Sequence, residues 1–314
     1  MDMKTILLKE LIKNGHENFG PNRVWDIASR KFLYINEEMA KGFMGLRNFD
    51  RYKTHILGTE ISLIKKNANI LSDTLAKESF NLIDICCGDG SKAVEFIKSL
   101  NPEVKIRYVP INSCDYLTNL AVKNVKKANL KNVVEYKPII SDCKGSTLNK
   151  LTKELKLGTF KKNAVLLLGS ILASYEINDY LFQLSKDMNK GDFLLIGNGV
   201  RKGERLVSLK TYKEDIFNKW FFNLIKNLGF NEKEVEYDAR FANDRVEMFY
   251  KIKIDKTVNS ENLKVDFKKG DEILTATLYK YYSEEFEKFC KLYFSDLEIK
   301  EDKTGGYVLV FCKK

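Results

Sequence analysis

At 314 residues the chain is long enough to bury a full α/β core and to carry a second, smaller domain. Its 44% hydrophobic and 31% charged residues are ordinary for a globular protein in water, and no apolar run nears the roughly 20 residues of a membrane-spanning helix. A net charge of +10 raises the question of nucleic acid, but the lysines are interleaved with acids, as in "YYSEEFEKFCKLYFSDLEIKEDK", so a solvated surface is the expected reading and nucleic acid is not the expected partner.

In chain order, the start offers "TILLKELI", a short amphipathic stretch broken by Lys9 and Glu10, without the apolar core or cleavage site of a signal peptide. The expected location is the cytoplasm. The first 60 or so residues read as helical and loop patterns rich in aromatics. A different rhythm follows. Strand-like runs "FNLIDIC", "VKIRYVPI", "VVEYKPII", "NAVLLLG" and "DFLLIGNG" alternate with helix-period segments "SKAVEFIKSL", "DYLTNLAVKNVKKA" and "EINDYLFQLSKDM". Strands separated by such helices imply βαβ units in a parallel sheet, with the loops that follow the strands on one ligand-binding edge. Then "RLVSLKTYKEDIFNKWFFNLIKNLGF" predicts one long helical segment, and "RVEMFYKIKI" a strand. The tail gives a helix, "SEEFEKFCKLYF", and two strand-like runs, "LEIKED" and "GYVLVFCKK", joined by a Gly-Gly turn.

Six cysteines show no C-x-x-C pair, and only His16 and His55 could join them, so no metal site is expected and the thiols read as small buried side chains. The chemistry concentrates at the strand ends. "CCGDG" places Gly88 and Gly90 after the first strand, where a nucleotide or sulfonium cofactor needs close backbone approach, with Asp84 inside the strand. About 20 residues on, where an acid would bind ribose hydroxyls, stands Asn112, whose amide can accept from one hydroxyl and donate to another. The third strand ends in "IISDC", where Asp142 could accept adenine amino protons and the Cys143 backbone N–H could meet the ring. Ala93 can stand in for the last glycine of a dinucleotide fingerprint, so this loop alone does not exclude NAD; the lack of histidine beyond residue 60 argues against hydride transfer.

Across nearly its whole length the chain resembles the histidine-specific, S-adenosylmethionine-dependent methyltransferases, the family of the ergothioneine-pathway L-histidine Nα-methyltransferase. "DICCGDGSKA" matches the family's first loop at Asp84, Gly88 and Lys92; "YVPINSC" matches at Tyr108, Pro110 and Ser113; "SDC" retains Asp142; "LLGSILASY" retains Gly169 and Ser170; "RVEMFY" matches at Glu247 and Met248. "KFLYINEE" and Tyr52-Lys53-Thr54 keep the family's spacing between Tyr34 and Tyr52.

The resemblance implies an α/β fold: a Rossmann-like methyltransferase sheet with a C-terminal antiparallel hairpin, over 59–199 and 283–314, plus a smaller α+β substrate domain over 1–58 and 200–282. It implies S-adenosyl-L-methionine as cofactor, held by Asp84, Gly88, Lys92, Asn112, Asp142, Cys143 and Ser170. It also implies N-methylation, with Tyr34 and Ser174 as catalytic candidates and Tyr52, Gly169, Tyr212, Met248, Ala276 and Leu278 at the substrate. Departures fall where substrate is read. Ser174 replaces the Asn that grips the amino-acid group, and "TATLYK" puts Ala276 and Leu278 where a Glu and a Ser hold the imidazole. A site without those bonds has no reason to prefer histidine. The expected substrate is therefore another small amine or amino-acid derivative, with a monomer as the default state. A tRNA methyltransferase and a non-catalytic cofactor-binding relative are the alternatives.

Overall fold

The structure, a computed structural model, describes residues 2–75, 78–142, 151–156, 158–201 and 209–314. It divides into two compact units, one of residues 1–49 with 206–280 and one of 50–205 with 281–314.

The second unit is built on an eight-stranded sheet. Its main strands are β1 (Phe80–Ile85), β2 (Ile106–Asn112), β3 (Val133–Tyr136), β4 (Lys162–Leu167), β5 (Phe193–Gly199), β6 (Asp296–Glu301) and β7 (Tyr307–Lys313). They lie in the order β6-β7-β5-β4-β1-β2-β3, and the short strand Ile139–Ile140 pairs with β2. β1 to β5 run parallel, while β7 is antiparallel to both β5 and β6. This is the Rossmann-like sheet with a C-terminal antiparallel hairpin that the sequence leads one to expect.

Alternation within each strand sorts the core into two layers. Leu82, Tyr108, Leu166 and Leu195 face one cluster; Ile83, Val109, Leu167 and Ile196 face the other. The first layer is closed by α1 (Gly58–Lys66), α2 (Ser91–Lys98) and α3 (Asp115–Lys127), through Leu63, Phe96 and Ala121. The second is closed by α4 (Ile177–Asp187) and α5 (Ser283–Tyr293), through Leu181, Leu184 and Phe286. Each fully buried aliphatic or aromatic side chain contributes roughly 1.5–3 kcal/mol, so the two layers fix the strand ends firmly. Every parallel strand therefore delivers its following loop to the same carboxy edge.

In the first unit a five-stranded sheet runs in the order His16–Phe19, Asn22–Asp26, Glu272–Tyr279, Arg245–Ile252, Val235–Ala242. Helices Met3–Asn14, Glu37–Asn48 and Asp215–Leu228 accompany it. The Tyr250 hydroxyl donates to the Asn218 carbonyl at 2.8 Å, which ties the sheet to the last of these helices. Trp220 Nε1–H donates to the Met39 carbonyl at 3.0 Å, and its ring would collide with any Cβ at Gly42, so glycine there lets the two helices meet.

Three expectations need correction. The expected long helix of 205–230 is broken within its described residues: Leu209–Tyr212 and Asp215–Leu228 are separate, because Glu214 is extended (φ −66°, ψ 143°) and the Tyr212 carbonyl is taken by the Tyr237 hydroxyl at 2.7 Å. The first 60 residues contain an unforeseen hairpin, His16–Phe19 with Asn22–Asp26, whose second strand finds a parallel partner in Glu272–Tyr279. The thiols are not uniformly buried either. Cys87, Cys114, Cys290 and Cys312 are, but Cys86 is half-buried, in a turn with φ +52°.

Candidate active site

The carboxy edge of the parallel strands gathers most of the cofactor candidates. After β1 the chain turns through three positive φ values, at Cys86 (+52°), Gly88 (+57°) and Gly90 (+75°). L side chains resist this region at a cost of about 1–2 kcal/mol, which glycine escapes, so the cradle is cheap at two positions and strained at Cys86. Gly90 has a second reason: a Cβ there would stand 3.0 Å from the backbone of Ala121 on α3. The Asp89 carboxylate accepts the Ser91 amide at 2.9 Å and closes the first turn of α2.

Asp84 lies in β1 opposite Pro110 of β2 and Leu166 of β4, almost wholly buried. Its Oδ2 accepts the Tyr108 hydroxyl at 2.7 Å. Burial pushes its carboxyl up to about 7, against the opposing pull of that hydrogen bond and of the Lys92 charge. Asn112 ends β2, 2% exposed, and its side-chain amide makes no hydrogen bond among the described residues. Ser141 N–H donates to the Asn112 carbonyl at 2.9 Å, which sets Asp142, half-buried, one residue beyond it on the same edge. Asn198 on β5 holds a buried Oδ1 with no hydrogen-bond partner among the described residues. Cys143 lies outside the described residues.

Around the ends of β4 and β5 sits a second group. Gly169 (φ +86°) and Ser170 (φ +56°) form the turn after β4. Ser170 Oγ accepts the Gly199 amide at 2.9 Å, and Ser170 N–H donates to the Gly197 carbonyl at 2.9 Å, so this turn is stitched to β5. Gly169 N–H donates to Glu60 on α1 at 2.7 Å, and the same carboxylate oxygen accepts the Tyr307 hydroxyl at 2.7 Å. Lys92 Nζ lies 2.7 Å from the other carboxylate oxygen. Burial, then the Glu60 charge, hold the Tyr307 hydroxyl well above its ordinary pKa. Tyr52 ends the short helix Asp50–Tyr52 and is half-buried. Ser174 follows at the end of a short 3-10 turn, Leu172–Ser174, half-buried.

The remaining candidates belong to the first unit. Tyr34 is 6% exposed, its ring 5.1 Å from Phe43 and 5.8 Å from Trp220, with the Arg30 guanidinium over its face at 5.2 Å. Met248 pairs with Ala276 and Val246 with Leu278, so Met248, Ala276 and Leu278 share one face of the sheet, the face of Tyr250. Met248 and Ala276 are buried there; Leu278 is partly exposed. Lys280, two residues on from Leu278, holds its ammonium 5.3 Å from the ring centre of Tyr212. Glu247 points to the other face's chemistry: it binds Arg240 and Arg245, and Arg240 in turn binds Glu272.

Two residues escaped the sequence reading, Glu60 and Tyr307. Glu60 precedes the core residues Leu63 and Ile64 by three and four positions, so it lies on the apolar face of α1. An acid at such a position must find buried partners, and that spacing was the available signal.

These residues fit an adenosyl cofactor. A positive-φ loop brings bare backbone forward, the Asn112 amide ends the second strand where hydroxyls would sit, and the Lys92 cation stands beside the same edge. Among solved structures the chain is similar to an S-adenosylmethionine-dependent methyltransferase from Clostridium acetobutylicum, at 13% identity and TM-score 0.44, over 87% of this chain and 98% of that one. It is similar also to a protein from Pyrococcus horikoshii, at 13% identity and TM-score 0.45, over 88% and 99%. An O-methyltransferase family 2 protein from Planctomyces limnophilus, solved with apigenin, gives 11% identity and TM-score 0.45, over 88% of this chain and 62% of that one. No curated protein matches. The family model of the SAM-dependent, histidine-specific methyltransferases matches residues 44–314. Spanning most of its length, that match shows that the chain belongs to this family, an enzyme whose methyl donor is S-adenosyl-L-methionine.

Proposed function

We propose that the chain methylates the nitrogen of a small amine or amino-acid derivative other than histidine, as a cytoplasmic enzyme. The observation that supports this is the apolar character of Ala276 and Leu278 beside Met248 and Val246 on one sheet face. An imidazole held by its ring nitrogens needs a hydrogen-bond partner for each, and neither side chain supplies one. The family description names histidine, so this reading differs from it at those two positions. The domain over 1–58 and 200–282 would read the substrate, since Tyr34, Tyr212, Met248, Ala276 and Leu278 all belong to it.

S-adenosylmethionine supplies, when bound, a methyl group activated by the sulfonium charge. The chain's part is placement. Asn112 would hold the ribose hydroxyls, Asp142 would accept from the adenine amino group, and Gly88 would let the backbone come close. A hydroxyl such as that of Ser174 would take a hydrogen bond from the incoming amine and aim its lone pair. An amine that enters neutral needs no strong base, so orientation in a dry pocket provides most of the acceleration.

Two measurements check the roles. Asn112→Asp should tighten S-adenosylhomocysteine about tenfold in calorimetry, because a charge-assisted bond to a hydroxyl is roughly twice as strong as a neutral one. Unchanged or weaker binding would remove Asn112 from the ribose site. For the substrate, labelled methyl transfer to a panel of amines, amino-acid derivatives, histidine and tRNA should favour an amine over histidine by about a hundredfold or more, given two lost polar contacts. Histidine or tRNA as the best acceptor would overturn the proposal.

A further inference from the structure

Lys123, Lys126 and Lys127 lie on the second half of α3, and Lys131 and Lys137 bracket β3. All five are exposed, and among the described residues none of them meets a carboxylate. The one acid among them in sequence, Glu135, is held by Arg107 at 2.9 Å. Other exposed lysines of this unit sit against acids: Lys65 and Lys98 share Glu95, and Lys291 binds Glu287. The excess positive charge of the chain is therefore concentrated here, without internal compensation.

These lysines border an open edge. β3 is the outermost strand of its sheet, and Ile139–Ile140 pairs with β2 just beyond it. α3 packs beside Ile139–Ile140, and Lys126 holds its ammonium 5.0 Å from the centre of the Tyr136 ring, so helix and edge form one surface. Val134 (52%) and Ile140 (63%) are exposed along it. Lysines in the last turn of α3 also suit its helix dipole, and lysines beside an edge strand keep it from pairing with another copy of itself. Neither role calls for bare aliphatic side chains among the charges.

Few occupants suit such an edge. A second copy would set lysine against lysine. Nucleic acid is bound by stacking on bare aromatic faces and by arginine forks. Here the half-buried Tyr136 ring has Lys126 over it, and Arg107 is held by Glu135. An extended peptide can instead add a strand through its main chain, with alternate side chains placed by the pleat. We propose that β3 and Ile139–Ile140 form a docking edge for an acidic, extended segment of a partner protein. Its carboxylates are met by the five lysines and its apolar residues by Val134 and Ile140. Which amine the enzyme methylates has no bearing on this surface.

Fluorescence anisotropy with labelled, end-capped peptides of about eight residues, enough to span the edge, tests it. An alternating Glu-Val peptide should bind at least about tenfold more tightly than an alternating Lys-Val peptide. N-methylation of every second backbone amide removes donors without altering charge, and it can be done in two complementary sets. One set should cost at least about tenfold and the other little, because only one row of amides faces β3. Equal affinities for the two sets overturn strand addition. On the chain, the double change Lys131→Glu with Lys137→Glu should weaken the Glu-Val peptide at least about tenfold, while the melting midpoint by circular dichroism stays put. Unchanged affinity overturns the proposal. So does oligouridylate binding more tightly than the peptide, or no saturable peptide binding up to about 1 mM.

Discussion

Lys92→Met is expected to destabilise the protein by about 3–5 kcal/mol, the cost of removing one member of a buried ion pair and leaving the other charge uncompensated. Glu60 is the member left behind, without exposed surface. The reverse change should cost far less, because Lys92, 16% exposed, can be hydrated once its partner is gone. Urea unfolding of Lys92→Met, Glu60→Gln and the double variant Glu60→Leu with Lys92→Met measures the asymmetry. The double variant should recover most of the loss, as apolar replacements of buried pairs do. Equal losses in the two single variants would mean that Glu60 reaches solvent and that the pair is an ordinary surface contact, worth at most about 1 kcal/mol.

Stability is expected to fall as pH rises from about 4 to about 7 through Asp84. Burial raises its carboxyl from 3.8 to about 7 in the folded protein. Across that window the folded state keeps a proton that the unfolded chain has released. The stabilisation from the protonated group is fully present below pH 3.8 and lost as pH climbs to about 7, at about 1.4 kcal/mol per unit. Other groups titrate in the same range, so the readout is the difference between the protein and Asp84→Asn, which carries no such proton. That difference should shrink steadily in the native protein's disfavour between pH 4.5 and 6.5; a constant difference would show that Asp84 is already ionised there. Tyr108→Phe should extend the window upward, since the Tyr108 hydroxyl bond favours the charged form.

The sheet was legible because its strands are short apolar runs set between amphipathic helices, and period decides such segments: four of the five expected strands from Phe80 to Gly199 stand within about two residues of their patterns, while "VVEYKPII" divides into Val133–Tyr136 and Ile139–Ile140. The terminal hairpin was legible for the same reason. What escaped notice depends on distant partners. "HENF" and "NRVWD" have too little alternation to announce strands; their sheet exists because Glu272–Tyr279 lies alongside. The break before Asp215 follows from a hydroxyl arriving from Tyr237, far along the chain.

At the site, the glycine pair, Asn112 and Asp142 could be found because topology alone sends successive strand ends to one edge. Lys92 could be found by motif, but not its engagement with Glu60, for Glu60 comes from a helix before the first strand of that sheet. Gly169 and Ser170 read as ligand contacts in the motif; in the structure their polar groups are engaged by Glu60 and by β5. Turn glycines and buried hydroxyls look alike in sequence whether they serve a ligand or a neighbouring strand.

The most direct test is a crystal structure grown with S-adenosylhomocysteine. The account predicts the nucleoside across the carboxy ends of β1 and β2, ribose at Asn112, adenine at Asp142, and the amino-acid end at Lys92. A ligand seated at the opposite edge of the sheet, or a Gly88–Asp142 crevice that stays empty at saturating concentration, would contradict it.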